Sequence, residues 1–399
     1  MHYPLLLLGV LFFPLGLLAA ADRHVVCTSV QPYRGPALRA PVALPPANEP
    51  GVVSAETMSP ELAKKLSAAL ALAQMKTQAP AITAAVAVPG QGSWSATCTL
   101  DPAAAPPPLF YWGSVGKTFT AVLIFQLIEE GKLALTTPIA QWFPDYPNAK
   151  VITVDHLLTH TSGIFSFNED RKDRRQPGYK SPATLLATAK KHGNSFCPGE
   201  AWAYSNTGYL MLGLIVENID GRSYAQSVEA RILHRLGLTQ TRALDAASTL
   251  TDIAPAYPDK SAKTEAGLSF ATPFGAGCIA ATANDMVRFW QGLLGGQLLS
   301  RASVERMFSP LYPMFGQRIS FYGRGVMVTD LPDPSGDIWL GHSGGAPGIK
   351  AEVIYSAAHH AFVAVALNND GSAQSTVNLL LKTLQGEGAT GSEVSCKSK

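Results

Sequence analysis

Charge is scarce in this 399-residue chain. Only 15% of its residues are charged, and 31 basic residues against 29 acidic ones leave a formal charge of +2. A nucleic-acid binder or an acidic tail protein needs a one-signed excess, so neither class fits. Cysteine is thin as well. Cys27, Cys98, Cys197, Cys278 and Cys396 stand far apart, with no C-x-x-C pair and no zinc-type spacing. Two bridges with a spare thiol and unpaired, incidental thiols are both compatible with that scatter. After the first 21 residues no run of about 18 uninterrupted apolar residues occurs, which excludes a membrane-spanning helix in the body.

Nucleotide and metal motifs are also missing. Gly116-Lys117-Thr118 ends like a P-loop, but the first glycine that loop requires would fall on Tyr111. His156 and His160 stand four apart, yet Leu157 follows the first of them where a zinc hydrolase has its Glu; they read as structural histidines near a helix end. His359-His360 reads as a solvated turn at a hairpin tip. No metal and no organic cofactor is implied.

What is present is enough apolar residue, 47%, to build a sizeable core. Residues 1–21 hold no ionised side chain, an apolar stretch from Pro4 to Leu18 and a closing Ala19-Ala20-Ala21. This pattern predicts a secretory signal peptide, hence an exported protein, periplasmic or secreted, with no membrane span after leader removal. Residues 22–56 read as a Pro-rich linker, carrying Pro32, Pro36, Pro41, Pro45, Pro46 and Pro50. The body is expected over 57–385, with a helical subdomain at about 113–298, and 386–399 as a flexible tail.

Within the body, Ser59-Pro60-Glu61 opens a helix to about Met75. The runs Ile82–Val88 and Trp94–Leu100, parted by Pro89-Gly90-Gln91-Gly92, form a β-hairpin. Apolar spacing at Val115, Phe119, Val122, Leu123 and Leu127 gives a helix stopped by Gly131. A mostly helical middle follows, including Ser181–Lys191, Gly208–Asn218, Tyr224–Leu236 and Asn284–Leu294. Strands return at Gly325–Thr329, Ile338–Leu340, Ala351–Tyr355 and Phe362–Leu367, before a last helix at Ser372–Gln385. The expected class is α/β: an antiparallel sheet built from both chain ends, flanked by helices, with an inserted mostly helical domain.

Three short motifs carry chemistry. In Ser114-Val115-Gly116-Lys117, one helical turn sets an amine beside a hydroxyl, and a dry site would let the amine take the Ser proton. In Tyr204-Ser205-Asn206, a phenol can relay a proton and an amide can hold a carbonyl. In Gly341-His342-Ser343-Gly344-Gly345, glycines let a substrate backbone approach a strand. Each alone reads equally well as a cap, a packed turn or a glycine-rich turn. The third also matches G-x-S-x-G, but only Glu352 lies between Ser343 and His359, and too little chain remains for an α/β-hydrolase.

Taken together and in this order, the motifs S-x-x-K, Y-x-N and H-x-G resemble the class C β-lactamase-like, penicillin-recognising serine hydrolases, which include D-Ala-D-Ala carboxypeptidases, D-aminopeptidases and esterases. Leu157-Leu158-Thr159-His160-Thr161-Ser162-Gly163 and Asp285-Met286-Val287-Arg288-Phe289 resemble further segments of that family, so the resemblance spans residues 60–385. It implies Ser114 as acylated nucleophile, Lys117 as activating base and Tyr204 as proton shuttle, with the choice of base between Lys117 and Tyr204 left open. It further implies Asn206 holding the substrate amide, His342 closing the site and the N–H groups of Ser114 and Gly345 forming an oxyanion hole. His342 stands where β-lactamases of this class carry Lys, which tilts the expectation to a D-peptidase of the carboxypeptidase kind or an esterase. Ser343 with Arg318 or Arg324 would bind a substrate carboxylate. The expected partner is a small molecule or peptide: a D-amino-acid peptide, a β-lactam or an ester. A cell-wall peptide binder without turnover is the non-enzymatic alternative.

Overall fold

The computed structural model describes residues 25–46, 57–101, 105–174, 178–258, 269–332, 336–387 and 396–398. The expected leader and the stretch 388–395 of the expected tail lie outside these residues.

The central strands, Ala81–Val88 and Ala361–Leu367, follow from apolar, Val- and Ala-rich sequence bounded by turn residues. In chain order the strands are β1 (Ala81–Val88), β2 (Gly92–Thr99), β3 (Phe110–Tyr111), β4 (Thr241–Ala243), β5 (Ile279–Ala281) and β6 (Tyr312–Pro313). The chain continues with β7 (Ser320–Tyr322), β8 (Met327–Asp330), β9 (Ile338–Ala346), β10 (Ile349–Ser356), β11 (Ala361–Leu367) and β12 (Lys397–Ser398). Nine of them make one antiparallel sheet in the order β12-β2-β1-β11-β10-β9-β8-β7-β6. The N-terminal hairpin β1–β2 therefore lies against C-terminal β11, and the expectation of one sheet from both chain ends is met.

Alternation along β11 explains the layers. Phe362, Ala364 and Ala366 enter one apolar cluster, whereas Ala361, Val363, Val365 and Leu367 enter another. Both faces are thus covered, which is why β1 and β11 read as continuous apolar runs. Helices α1 (Pro60–Thr77) and α5 (Ala373–Leu384) cover one face. On the other lie α2 (Gly116–Glu129), α3 (Asn206–Asp220) and α4 (Ala283–Leu294). Ser59 caps α1 by accepting the Leu62 N–H, with Pro60 at the first helical position. Every residue of α2 from Gly116 to Leu127 is buried, so α2 is a core helix rather than a surface one.

Several sequence readings change. Residues 25–46 are no free tether: Cys27 is bonded to Cys197, and Gln31 and Arg34 donate backbone N–H groups to Pro198 and Glu200 carbonyls at 2.9 and 2.8 Å. Arg39 forks onto Asp330 at 2.7–3.0 Å, which pins the far end of this strap to β8. The tail is likewise not wholly loose, since Cys396 bonds Cys98 and β12 extends the sheet beside β2. Cys278 is the buried free thiol. Tyr224–Leu236 is helical throughout, as expected, but widens for one turn at Glu229–Leu233. His359 is not solvated: its ring faces Ser356 Oγ at 2.8 Å, and Ser356 in turn donates to buried Asp337 at 2.6 Å, clamping the β10–β11 turn to the start of β9. Among the described residues no helix is long and apolar enough to cross a membrane.

Candidate active site

The site forms where α2 meets β9 and the start of α3. Trp112 ends β3 with two anchors, its N–H to the Ile279 carbonyl at 2.9 Å and its indole N–H to the Ala281 carbonyl at 3.1 Å. Gly113 then turns through φ +52°, a conformation disfavoured for residues with a Cβ, and a single tight helical turn, Gly113–Val115, presents Ser114 at the N-terminal end of α2. Free N–H groups at such an end favour negative charge.

Lys117, on the first turn of α2, is completely buried. Its Nζ lies 3.1 Å from Ser114 Oγ, 2.6 Å from Asn206 Oδ1 and 2.7 Å from the Ala276 carbonyl oxygen. The rings of Tyr204 and Tyr209 stand 4.8 and 5.6 Å away. No carboxylate bonds it among the described residues, and burial holds its pKa well below the ordinary lysine value. Tyr204 has the Ser114 hydroxyl as hydrogen-bond partner, and burial raises its pKa above that of an ordinary phenol.

Asn206 opens α3. Its Oδ1 accepts from Lys117, while its Nδ2 donates to Asn168 Oδ1 at 2.8 Å and its backbone N–H to Ser166 Oγ at 2.9 Å. This assignment leaves one amide hydrogen for a substrate carbonyl. Ser166 and Asn168, bonded to each other at 2.6 Å, were not legible as site residues, because nothing in S-F-N marks it as a partner for a residue nearly 40 positions away.

His342 on β9 is fully buried. Its Nδ1 is 2.6 Å from the Ser343 carbonyl, so that nitrogen carries the proton and Nε2 accepts from the Tyr322 hydroxyl at 3.1 Å. Burial, with the neighbouring Lys117 charge second, pushes its pKa down to about 3. His342 therefore offers the site no cation at neutral pH. His160 sits beside it at φ +61°, 4.2 Å from the Tyr204 ring and 4.5 Å from that of Tyr322. Its Nδ1 accepts the Ser205 N–H at 3.1 Å, and burial followed by Lys117 holds its pKa well below the usual value. It is a packing histidine within the site, not a zinc ligand.

Three expected contacts are not made. The pleat turns Ser343 to the face opposite His342, where its hydroxyl meets Met327 Sδ at 3.5 Å. Arg324 is 7% exposed and bound by Asp155, at 2.5 Å from Nε, so it is already neutralised. Arg318 is exposed. Gly344 and Gly345, by contrast, cross the Ser114 turn closely: a Cβ on Gly344 would stand 2.0 Å from the Trp112 carbonyl oxygen and 3.0 Å from the Ser114 nitrogen.

Two buried neutral histidines give a testable pH dependence. His342 and His160 are protonated in the unfolded chain below about 6.5 but resist it in the fold. The unfolded state then binds more protons, so stability is full above about pH 6.5 and falls toward pH 3. Thermal melts should show Tm dropping across that window, and His342→Gln should flatten part of the drop. A slope identical in the variant would mean that His342 is protonated in the fold.

Residues 65–385 match the beta-lactamase family. Penicillin-binding protein 4* of Bacillus subtilis is 30% identical over 263 residues, covering 62% of this chain and 57% of that protein. The chain spans about half the length of the Bacillus subtilis relatives it matches. Of solved structures, a D-stereospecific amidohydrolase from Streptomyces sp. is similar with a TM-score of 0.69 and 28% identity, covering 79% of this chain and 96% of that one. The D-amino acid amidase of Ochrobactrum anthropi shares the fold with a TM-score of 0.73 at 22% identity, covering 82% and 99%. With the family match running from α1 through α5 and the S-x-x-K, Y-x-N and H-x-G residues converging at one place, the chain belongs to the beta-lactamase family of serine hydrolases.

Proposed function

We propose that this protein is an exported D-peptidase-like hydrolase that cleaves amide or peptide bonds of D-amino-acid derivatives through an acyl-enzyme on Ser114. The observation that carries the reading is the buried Lys117 amine, 3.1 Å from Ser114 Oγ and without a counter-ion among its contacts. A depressed amine pKa turns a cation into a base.

In this mechanism Ser114 Oγ attacks the substrate carbonyl carbon and passes its proton to Lys117. The N–H groups of Ser114 and Gly345 receive the developing oxyanion, each worth on the order of 3 kcal/mol. Tyr204 delivers its proton to the leaving nitrogen as the C–N bond breaks and is reprotonated by Lys117. In deacylation water attacks the ester carbonyl as its proton passes, through Tyr204, to neutral Lys117, and the ester C–O bond then breaks with that proton returned to Ser114 Oγ. The remaining Asn206 amide hydrogen holds the substrate carbonyl. Among the described residues of the cluster, neutral His342 and the Asp155-bound Arg324 offer no free cation to a substrate carboxylate, which favours amide or uncharged peptide substrates over β-lactams and C-terminal acids. Relatives named for D-stereospecific amide hydrolysis and for D-alanine removal from teichoic acid support a D-configured acyl group. Export rests on the leader pattern, and two disulfides suit an oxidising compartment.

The test follows intact mass and turnover of wild type beside Ser114→Ala, with benzylpenicillin, p-nitrophenyl acetate and the two alaninamide enantiomers. Wild type should release ammonia from D-alaninamide far faster than from the L form, and Ser114→Ala should lose on the order of 10^4-fold while melting normally. A lasting penicillin adduct on wild type with no amide turnover would instead mean a penicillin-binding carboxypeptidase. Rapid penicillin loss would mean a lactamase, ester turnover alone an esterase, and no reaction with any probe a binding protein.

A further inference from the structure

Beyond the cluster around Ser114, one cavity touches its chemistry. About 420 Å3 in volume, it is lined by Tyr204 and Trp202, by Phe315, and by Tyr33, Gly35 and Pro36 of the strap. The strap precedes the stretch that matches the family, residues 65–385, so this wall lies outside the matched body. It is held in place at several points. Cys27–Cys197 anchors it to the loop leading into Tyr204, the Gln31 and Arg34 N–H groups bond that same loop, and Tyr33 packs edge-on against Tyr312 at 5.1 Å. Gly199 accommodates the approach, at φ +87° and with its Cβ position 2.5 Å from the Gln31 carbonyl oxygen.

The lining is mostly apolar, four aromatic rings beside a single carboxylate, that of Glu169, and it is incompletely satisfied. Phe315 is 70% exposed, in a left-handed conformation at φ +52°, and meets Trp202 edge-on at 5.3 Å. An exposed Phe held in a backbone region that bulky residues avoid points to a use for that ring. The Trp202 indole N–H and the Tyr33 hydroxyl are both buried and have no hydrogen-bond partner among the described residues. A buried donor left so costs about 1–3 kcal/mol unless something arrives to accept.

On the reading that Ser114 is acylated and Tyr204 protonates the leaving group, we propose that this cavity is the leaving-group subsite. It takes an apolar aminoacyl amide, whose side chain packs on Phe315 and Trp202 and whose carbonyl accepts from the Trp202 indole N–H. The direction follows from Tyr204: the atom that receives its proton carries the leaving portion, and Tyr204 is the residue common to the Ser114 cluster and the cavity. The strap closes the far wall, so the subsite holds one residue rather than a long chain.

Two substrates sharing a D-alanyl group but differing in leaving group isolate this subsite: D-alaninamide, which releases ammonia, and D-alanyl-phenylalaninamide. Wild type should favour the second by at least 10-fold in kcat/KM. Phe315→Ala and Trp202→Phe should each cut that preference threefold or more, mainly through KM, and Cys27→Ser should do the same by releasing the strap. Labelling of Ser114 with a fluorophosphonate counts folded sites in every variant, and the ratio of two substrates on one preparation is independent of that count. A wild-type ratio near one, or a ratio untouched in all three variants, overturns the subsite. If wild type cleaves neither amide although Ser114 is labelled, the proposed function fails first and this inference falls with it.

Discussion

Lys117→Met is expected to remove at least 10^3-fold of the hydrolytic activity while leaving Tm at neutral pH within a few degrees of wild type. An ordinary buried ion pair behaves otherwise, because removing one partner strands the other at about 3–5 kcal/mol. Lys117 has no ionic partner to strand; its loss leaves the Asn206 and Ala276 carbonyl oxygens short of a donor, about 1–3 kcal/mol each, and relieves the desolvation of a buried amine. The two effects oppose. Their balance is pH-dependent in a direction that can be worked out. Between the depressed folded pKa and the ordinary value near 10.4, the unfolded chain holds a proton on Lys117 that the fold does not, so wild-type stability rises with pH across that window. Lys117→Met lacks this rise. Its Tm relative to wild type should therefore be highest at the acidic end of the window and decline toward pH 10. Lys117→Arg should be equally inactive, since a guanidinium does not give up its proton. A variant with near-wild-type turnover would transfer the base role to Tyr204; a variant that unfolds outright would make Lys117 structural.

What the sequence disclosed divides along the range of the interactions involved. Ser114 and Lys117 were legible because one helical turn fixes their separation, and the sheet from both chain ends was legible because β1 and β11 are apolar runs of strand length. Strands β3 to β7, at two or three residues each, are too short for any periodicity to show. The Asn206–Asn168–Ser166 chain, the Ala276 carbonyl over Lys117 and the Tyr322 hydroxyl on His342 are meetings of distant segments, and nothing local encodes them. His342 shows a different limit. Its identity was plain, but its charge depends on burial and on the neighbouring amine, which exist only in the fold. Strand alternation places Ser343 opposite His342 once β9 is recognised, so the two side chains do not share a face. The strap misled through composition: its five prolines suit a loose linker, and they suit equally well an extended segment fastened by a disulfide and an Arg39–Asp330 fork.

Gly344→Ala should cost more activity than any other single methyl added to this sheet. Its Cβ would have to occupy a point 2.0 Å from the Trp112 carbonyl oxygen, and neither side can retreat cheaply. Trp112 is held by its bonds to Ile279 and Ala281, and β9 is registered between β8 and β10. The relief must come from separating β9 from the Ser114 turn, whose own Gly113 also crowds β9, its Cβ position being 2.7 Å from the Gly345 nitrogen. Overpacking against fixed backbone costs about 3 kcal/mol or more, a drop of several degrees in Tm. The catalytic loss is larger in consequence. If the Ser114 and Gly345 N–H groups jointly receive the oxyanion, a displacement of about 1 Å forfeits roughly 10^2-fold or more in acylation rate. Gly90→Ala supplies the comparison: at φ +75° with nothing within 4 Å, it should cost only the backbone strain, about 1 kcal/mol, and leave the rate unchanged. Stopped-flow acylation by p-nitrophenyl acetate, with melts of both variants, separates the two costs. Wild-type acylation in a folded Gly344→Ala protein would mean that the oxyanion is received somewhere other than this crossing of β9 over the Ser114 turn.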